Sequence, residues 1–200
     1  GAQKEQVSLD LIRAVVDQRN IKSEEEIALL DRAAAISMDM HVAGMRAVQP
    51  GMKEYQVAAV MHKTALENNC QLAFPIICSV RGETLHNHYY GNTLKEGQML
   101  LMDAGAELPQ GYCGDISSTV PVSGTFTSQQ QLIYDIVEAS HRAAVEALRP
   151  GKPFKEIYYT SCRAIVDGLK GLGLMKGDTE QAVREGAHAL FFPCGLGHMM

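Results

Sequence analysis

Met99-Leu100-Leu101-Met102-Asp103-Ala104-Gly105-Ala106-Glu107, followed three residues later by Gly111-Tyr112-Cys113-Gly114-Asp115-Ile116-Ser117-Ser118-Thr119-Val120, is the stretch on which the reading of this chain turns. Four apolar residues closely bounded by glycines are too few for a helix, so Gln98 to Asp103 is predicted as a strand, and Tyr112 to Val122 as another. A carboxylate at the end of an apolar strand is costly to keep charged unless it is paired or bound to a cation. Asp115 follows Asp103 by twelve residues, and a hairpin of the two segments would bring the carboxylates together. Like charges at close range repel, and a metal ion between them is the natural resolution. Spacing alone leaves open the alternative that both are ordinary turn acids.

Outward from this pair, helices and short strands alternate. Val7 to Asn20 has Leu9, Ile12, Val15 and Val16 at helical spacing. Ser23 and Glu26 form a capping box, with acids in the first turn. From there Ile27, Leu30, Ala34, Met38, Val42 and Met45 mark the apolar side of a helix running to about Val48, which Pro50-Gly51 stops. A second helix is predicted from Lys53 to Asn68 and a strand from Leu72 to Val80. Thr127 or Ser128 caps a helix over Gln129 to Leu148, with Leu132, Ile133, Ile136, Val137 and Ala144 on its apolar side. Pro150-Gly151 ends that helix, and another follows from about Pro153 to Leu169. The glycines at 168, 171 and 173 lack the strand-then-helix context of a phosphate loop and are predicted to terminate this helix.

One stretch echoes another. Arg46-Ala47-Val48-Gln49-Pro50-Gly51-Met52-Lys53-Glu54 resembles Glu146-Ala147-Leu148-Arg149-Pro150-Gly151-Lys152-Pro153-Phe154-Lys155-Glu156. Each is a long helix, then Pro-Gly, then Lys-Glu opening a second helix. Two such units suggest a duplicated half and a pseudo-twofold fold, although Pro-Gly is also common punctuation after helices.

Three histidines are candidates for chemistry. His198 follows the glycine-rich turn Pro193-Cys194-Gly195-Leu196-Gly197 and could reach into a cleft; taken alone, a loop or core histidine is the simpler reading. His86 and His88 form an H-x-H pair, which on a strand would share one face. The five cysteines are odd in number, include no CxxC, and fit reduced core thiols in a reducing compartment. Cys113 and Cys194 lie near the candidate ligands, but buried structural thiols are the simpler reading.

Composition excludes some classes. The chain has 200 residues, 46% apolar and 20% charged, which suits a globular domain. No apolar run is long enough for a membrane span, and the opening residues carry no signal-peptide pattern. A net charge of −5 and scattered basic residues give no footprint for nucleic acid. These features together lead to the expectation of a cytoplasmic protein.

The run Leu101-Met102-Asp103-Ala104-Gly105-Ala106-Glu107, then Gly111-Tyr112-Cys113-Gly114-Asp115-Ile116, then Thr119-Val120-Pro121-Val122-Ser123-Gly124, resembles the prolidases and Xaa-Pro aminopeptidases of the pita-bread metallopeptidase family. Leu85-His86, seventeen residues before Asp103, matches the family's substrate-pocket histidine in spacing, and Gly195-Leu196-Gly197-His198 its histidine ligand motif. The opening Ile21-Lys22-Ser23-Glu24-Glu25-Glu26-Ile27 looks like the family's passage from an N-terminal domain into the catalytic one. The resemblance implies an α/β (α+β) pita-bread fold of two pseudo-twofold halves, a curved antiparallel sheet covered by helices. It implies residues 1–22 as a linker from a further domain and 23–200 as a catalytic domain cut before its last ligands.

Carried over to this chain, Asp103 would chelate one metal, Asp115 would bridge two, His198 would bind the second, and His86 would face the substrate. The implied activity is hydrolysis of the bond between an N-terminal residue and a following proline, through two divalent ions that activate a water. Mn²⁺ is the common choice in this branch; Zn²⁺, Co²⁺ or Fe²⁺ suit the same ligands. Peptides with proline second are the implied partners, with neither nucleic acid nor membrane, and a homodimer is admitted. Two glutamate ligands and a further pocket histidine of the family lie C-terminal to the His198 motif, so this chain by itself is expected to be inactive. It departs from the family at Ser117-Ser118, where many relatives have Thr-Arg, and at Cys194, where prolidases often have histidine. Two other readings stand beside this one: a metal-free creatinase-like hydrolase and a non-catalytic pita-bread peptide-binding module.

Overall fold

The computed structural model describes residues 7–200. These fall into two compact units, the first running to Thr125 and including Met199–Met200, the second spanning Phe126–His198.

The first unit begins with helix α1 (Leu9–Asn20), capped by the Ser8 hydroxyl and burying none of its residues. Helix α2 (Glu24–Ala47) starts at the expected capping box, in which the Ser23 hydroxyl accepts from the Glu26 N–H and the Glu26 carboxylate from the Ser23 N–H. Pro50-Gly51 turns the chain into α3 (Glu54–Glu67), with Gly51 in the left-handed region at φ 92°.

The expected strand from Leu72 to Val80 is two strands, β1 (Gln71–Leu72) and β2 (Ile77–Ser79). Pro75 lies in the break; it has no N–H to give a ladder and bends the run. Strand β3 (Met99–Ala104) extends one residue past its expected end, and β4 (Ala106–Glu107) follows after Gly105. Of the strand expected over Tyr112 to Val122, only β5 (Ile116–Pro121) is regular. All pairing is antiparallel: β2-β3-β5 make one sheet and β1-β4 a two-stranded ribbon.

Helices α2 and α3 pack against these strands. Leu100, Met102 and Ala104 alternate inward along β3 and join Met40, Val57, Met61 and Leu94 in one core. The buried stripe of α2 is not the expected one. Ala33, Ile36, Ser37, Met40, His41 and Gly44 are buried, whereas Ile27, Ala34, Met38 and Met45 are exposed. The helix carries a second apolar stripe, Ala33, Ile36 and Met40, interleaved with Ser37, His41 and Gly44, and the reading by apolar residues took the other one, about one position round the helix. Gly44 lets the helix lie close against its neighbours, since a Cβ there would stand 3.0 Å from the side chains of both Met61 and Met102.

The second unit holds α4 (Ser128–Ala147), α5 (Phe154–Gly171), α6 (Thr179–Arg184) and a 3-10 turn, Ala187–Leu190. Thr127 is the cap of α4, in a capping box with Gln130. Helices α4 and α5 meet through Ser140, whose hydroxyl donates to the Ser161 carbonyl at 3.1 Å, and through Gly168, where a Cβ would come within 2.6 Å of Ile136. Gly168 is therefore a packing glycine inside α5, and the left-handed Gly173, at φ 73°, follows its end. On the expected apolar side of α4 only Ala144 is buried; Leu132, Ile133 and Val137 are exposed.

The helix, Pro-Gly turn, helix unit read twice in the sequence is present twice, as α2–α3 and α4–α5. Gly151, at φ 80°, matches Gly51 in conformation.

Candidate metal centre

The two acidic residues come together as the hairpin reading expects. Antiparallel register sets Asp103 opposite Ser117 and Ala104 opposite Ile116, which places Asp115 just past the end of the ladder. Alternation along β3 puts Asp103 on the face away from the core. At the hairpin's irregular end, Gly105 and Gly114 lie in backbone contact, and a Cβ on Gly105 would sit 1.6 Å from the Gly114 carbonyl oxygen. Beyond this point the Ala106 carbonyl accepts from the Gly114 N–H at 2.9 Å, and Glu107 bridges to Cys113.

Burial raises the pKa of Asp103; the Asp115 charge raises it further, while the Ser117 hydroxyl and the nearby His86 work the other way. Its Oδ1 is buried and has no hydrogen-bond partner. A half-buried carboxylate with an orphaned oxygen, beside a second carboxylate, is a donor set suited to a hard or borderline divalent cation. Among the described residues no group of three or more His, Cys, Asp or Glu side chains is assembled closely enough to hold a metal.

The sign of the Asp103 shift gives a stability expectation. Below the ordinary pKa of Asp both folded and unfolded chains carry the proton, and the site costs nothing. As pH rises through the window up to the raised folded pKa, the folded chain must give up a proton it holds more tightly, and the cost is complete above that window. Asp103→Asn should therefore raise the melting temperature of metal-free protein by a few degrees at neutral pH and leave it unchanged at acidic pH, read from thermal melts in chelator. Equal shifts at both pH values would refute this account.

His86 and His88 are both exposed and lie in a loop, not on a strand, so the shared-face pairing is not formed. His86 has φ 52°, a left-handed conformation uncommon outside glycine. His198 is exposed in the irregular end of the second unit. Cys70, Cys78 and Cys162 are buried free thiols, as expected; Cys113 is half-buried and Cys194 is exposed, contrary to the buried-thiol reading. Burial is the main reason that the Cys78 thiol is pushed up to about 12, which makes it inert.

Sequence reasoning missed the residues behind the pair. His41, 2% exposed, bonds through Nε2 to the Ala104 carbonyl at 3.2 Å and through Nδ1 to the Ser118 hydroxyl at 2.6 Å. A carbonyl only accepts, so Nε2 donates; burial lowers the His41 pKa and favours the neutral ring, whose Nδ1 then accepts from Ser118. Ser37 donates to the Ala33 carbonyl and accepts from the Ala106 N–H at 2.9 Å. The departure at Ser117-Ser118 thus has a structural use: one hydroxyl serves Asp103, the other His41. The available signal was slight: Ser37 and His41 lie four apart, on the same helix face as Ala33, Met40 and Gly44.

A fold of this kind, with a carboxylate pair on an antiparallel hairpin, defines a class. The model of metallopeptidase family M24 matches residues 28–200, and the chain belongs to that family. Within it, the chain is 36% identical over 197 residues to the Xaa-Pro aminopeptidase of Escherichia coli (strain K12), covering 96% of this chain and 44% of that protein. It is similar in structure to aminopeptidase P from E. coli with the inhibitor Pro-Leu, with a TM-score of 0.89 and 36% identity over 92% of this chain and 43% of that one. Proline aminopeptidase P II from Yersinia pestis superimposes with a TM-score of 0.86 at 39% identity, over 90% of this chain and 42% of that one. The expected pita-bread α/β architecture is borne out by these likenesses. The chain spans less than half the length of these relatives. No helix among the described residues is long and apolar enough to cross a membrane.

Proposed function

We propose that this protein hydrolyses the peptide bond between an N-terminal residue and a following proline as a dinuclear-metal peptidase. The observation that carries the proposal is the Asp103–Asp115 pair with the orphaned Asp103 Oδ1, in a chain similar to Xaa-Pro aminopeptidases along nearly its whole length. Asp103 would hold one ion, Asp115 both, and His198 the second. When bound, such ions supply Lewis acidity for the scissile carbonyl and make a water acidic enough to react at neutral pH. His86 is placed by its loop close enough to Asp103 to act on its charge, and would face the substrate carbonyl. Ser117 orients the Asp103 carboxylate, and His41 ties Ala104 of β3 to Ser118 of β5 behind the pair.

Mn²⁺ is the favoured ion on the family resemblance; the Zn-substituted E. coli aminopeptidase P among the similar structures is a reason to test Zn²⁺ beside it. Five free cysteines fit a cytoplasmic setting. We assign residues 1–22 to a linker and 23–200 to the catalytic domain; a homodimer is part of the same reading.

The test is hydrolysis of Gly-Pro and of a longer Xaa-Pro-Xaa peptide by the full-length protein, stripped of metal and then given Mn²⁺ or Zn²⁺. Metal-dependent release of the first residue is expected, and the preferred length separates a dipeptidase from an aminopeptidase. Metal-loaded, folded protein that cleaves neither peptide would overturn the proposal and favour a peptide-binding module.

A further inference from the structure

Glu54 is the first residue of α3, and its side chain is fully buried. A carboxylate is seldom buried unless every lone pair is used, and here the partners come from the two ends of one loop. Oε1 accepts from the Val80 N–H at 2.8 Å, the Ser79 hydroxyl at 3.1 Å and the Asn92 side-chain amide at 3.0 Å. Oε2 accepts from the Asn92 N–H at 3.0 Å and the same side-chain amide at 3.1 Å. The Glu54 backbone N–H, in turn, donates to the Asn92 carbonyl at 3.2 Å. Ser79 continues the network inward, accepting from the Arg81 N–H at 3.0 Å and the Asn87 side-chain amide at 3.4 Å.

Between these ends, residues 80–92 form no helix or strand, and they carry His86 in its left-handed conformation. A loop without its own secondary structure keeps an uncommon backbone angle only if its surroundings over-determine it. Among the described residues, the buried carboxylate of Glu54 is the one group that bonds both ends of this loop.

We propose that Glu54 is a positioning residue, a buried clasp that closes the 80–92 loop and so holds His86 beside the Asp103–Asp115 pair. For the part His86 plays in turnover, this rests on the function proposed above; for the clasp itself, it rests on the bonds alone.

The experiment uses the full-length protein with Glu54→Gln, Ser79→Ala, His86→Ala and the Glu54→Gln/His86→Ala double variant. Glu54→Gln keeps the shape but turns one acceptor into a donor facing other donors. Amide hydrogen exchange across 80–92 is expected to quicken by about tenfold or more while β3 stays protected. With an Xaa-Pro peptide, kcat is expected to fall about tenfold to a hundredfold with little change in metal affinity. In the His86→Ala background the same substitution should cost nothing further, since the clasp acts through that side chain. Unchanged exchange in the loop, or an undiminished fall in kcat on the His86→Ala background, overturns the proposal. If Glu54→Gln does not fold, Ser79→Ala, which removes one donor and one relay, gives the same readouts at smaller amplitude. If His86→Ala leaves turnover intact, the role of His86 is lost, while the exchange data still decide the clasp.

Discussion

Asp115→Ala in the full-length protein is expected to abolish metal-dependent cleavage of Xaa-Pro peptides, by roughly a thousandfold or more. Every ten-fold loss corresponds to about 1.4 kcal/mol of transition-state stabilisation, and a metal centre supplies several. Under the proposed ligation, Asp115 is the one carboxylate shared by both ions, so its loss disables the pair, whereas loss of either neighbour weakens one ion. The side chain is exposed, and Asp103 beside it is held in an unfavourable charge state partly by Asp115. Its removal should therefore leave the fold intact and the metal-free melting temperature unchanged or raised. Calorimetric titration with Mn²⁺ alongside peptide turnover reads both effects. Turnover within about tenfold of the parent would remove Asp115 from the centre.

Gly105→Ala should be the most damaging small substitution in the first unit. Gly105 is outside the left-handed region, so its conformation does not require glycine. Space does: a Cβ would stand 1.6 Å from the Gly114 carbonyl oxygen and 3.2 Å from the Asp115 nitrogen, both backbone atoms. Flexible side chains can yield to such overlap, but a hairpin backbone yields only by separating its strands. We expect a loss of at least about 3 kcal/mol of stability, above the usual cost of overpacking because backbone must move, together with lost metal affinity as Asp115 is carried away from Asp103. Gly82→Ala is the control, since its Cβ would meet Leu101 at an ordinary 3.5 Å. Urea unfolding of the two variants makes the comparison, and similar midpoints would refute it.

The same contact explains why the hairpin was legible. A charged residue closing an apolar strand, a second acid twelve residues on, and glycines near both pointed to a hairpin that would join Asp103 and Asp115, because strand alternation and antiparallel pairing leave little freedom over so short a connection. The five longer helices were equally readable, since the capping box at Ser23, a cap at Thr127 or Ser128 and Pro-Gly stops at 50 and 150 act through neighbours in sequence. Strands fared less well at Pro75, where one apolar run is two strands, and at Tyr112 to Asp115, where the chain is irregular apart from one bridge at Cys113.

What the sequence by itself determined, then, was whatever rests on local contacts: the five longer helices and their caps, the repeated helix pair, and the acid pair with the family it resembles. Tertiary structure alone decided which side of α2 is buried, that His41 and Ser37 stand behind the hairpin, and that Glu54 fastens a loop whose ends lie far along the chain from it. The physical reason is one of partners. A buried polar side chain reads in sequence as a surface residue, and only the distant donors and acceptors that satisfy it make its burial affordable.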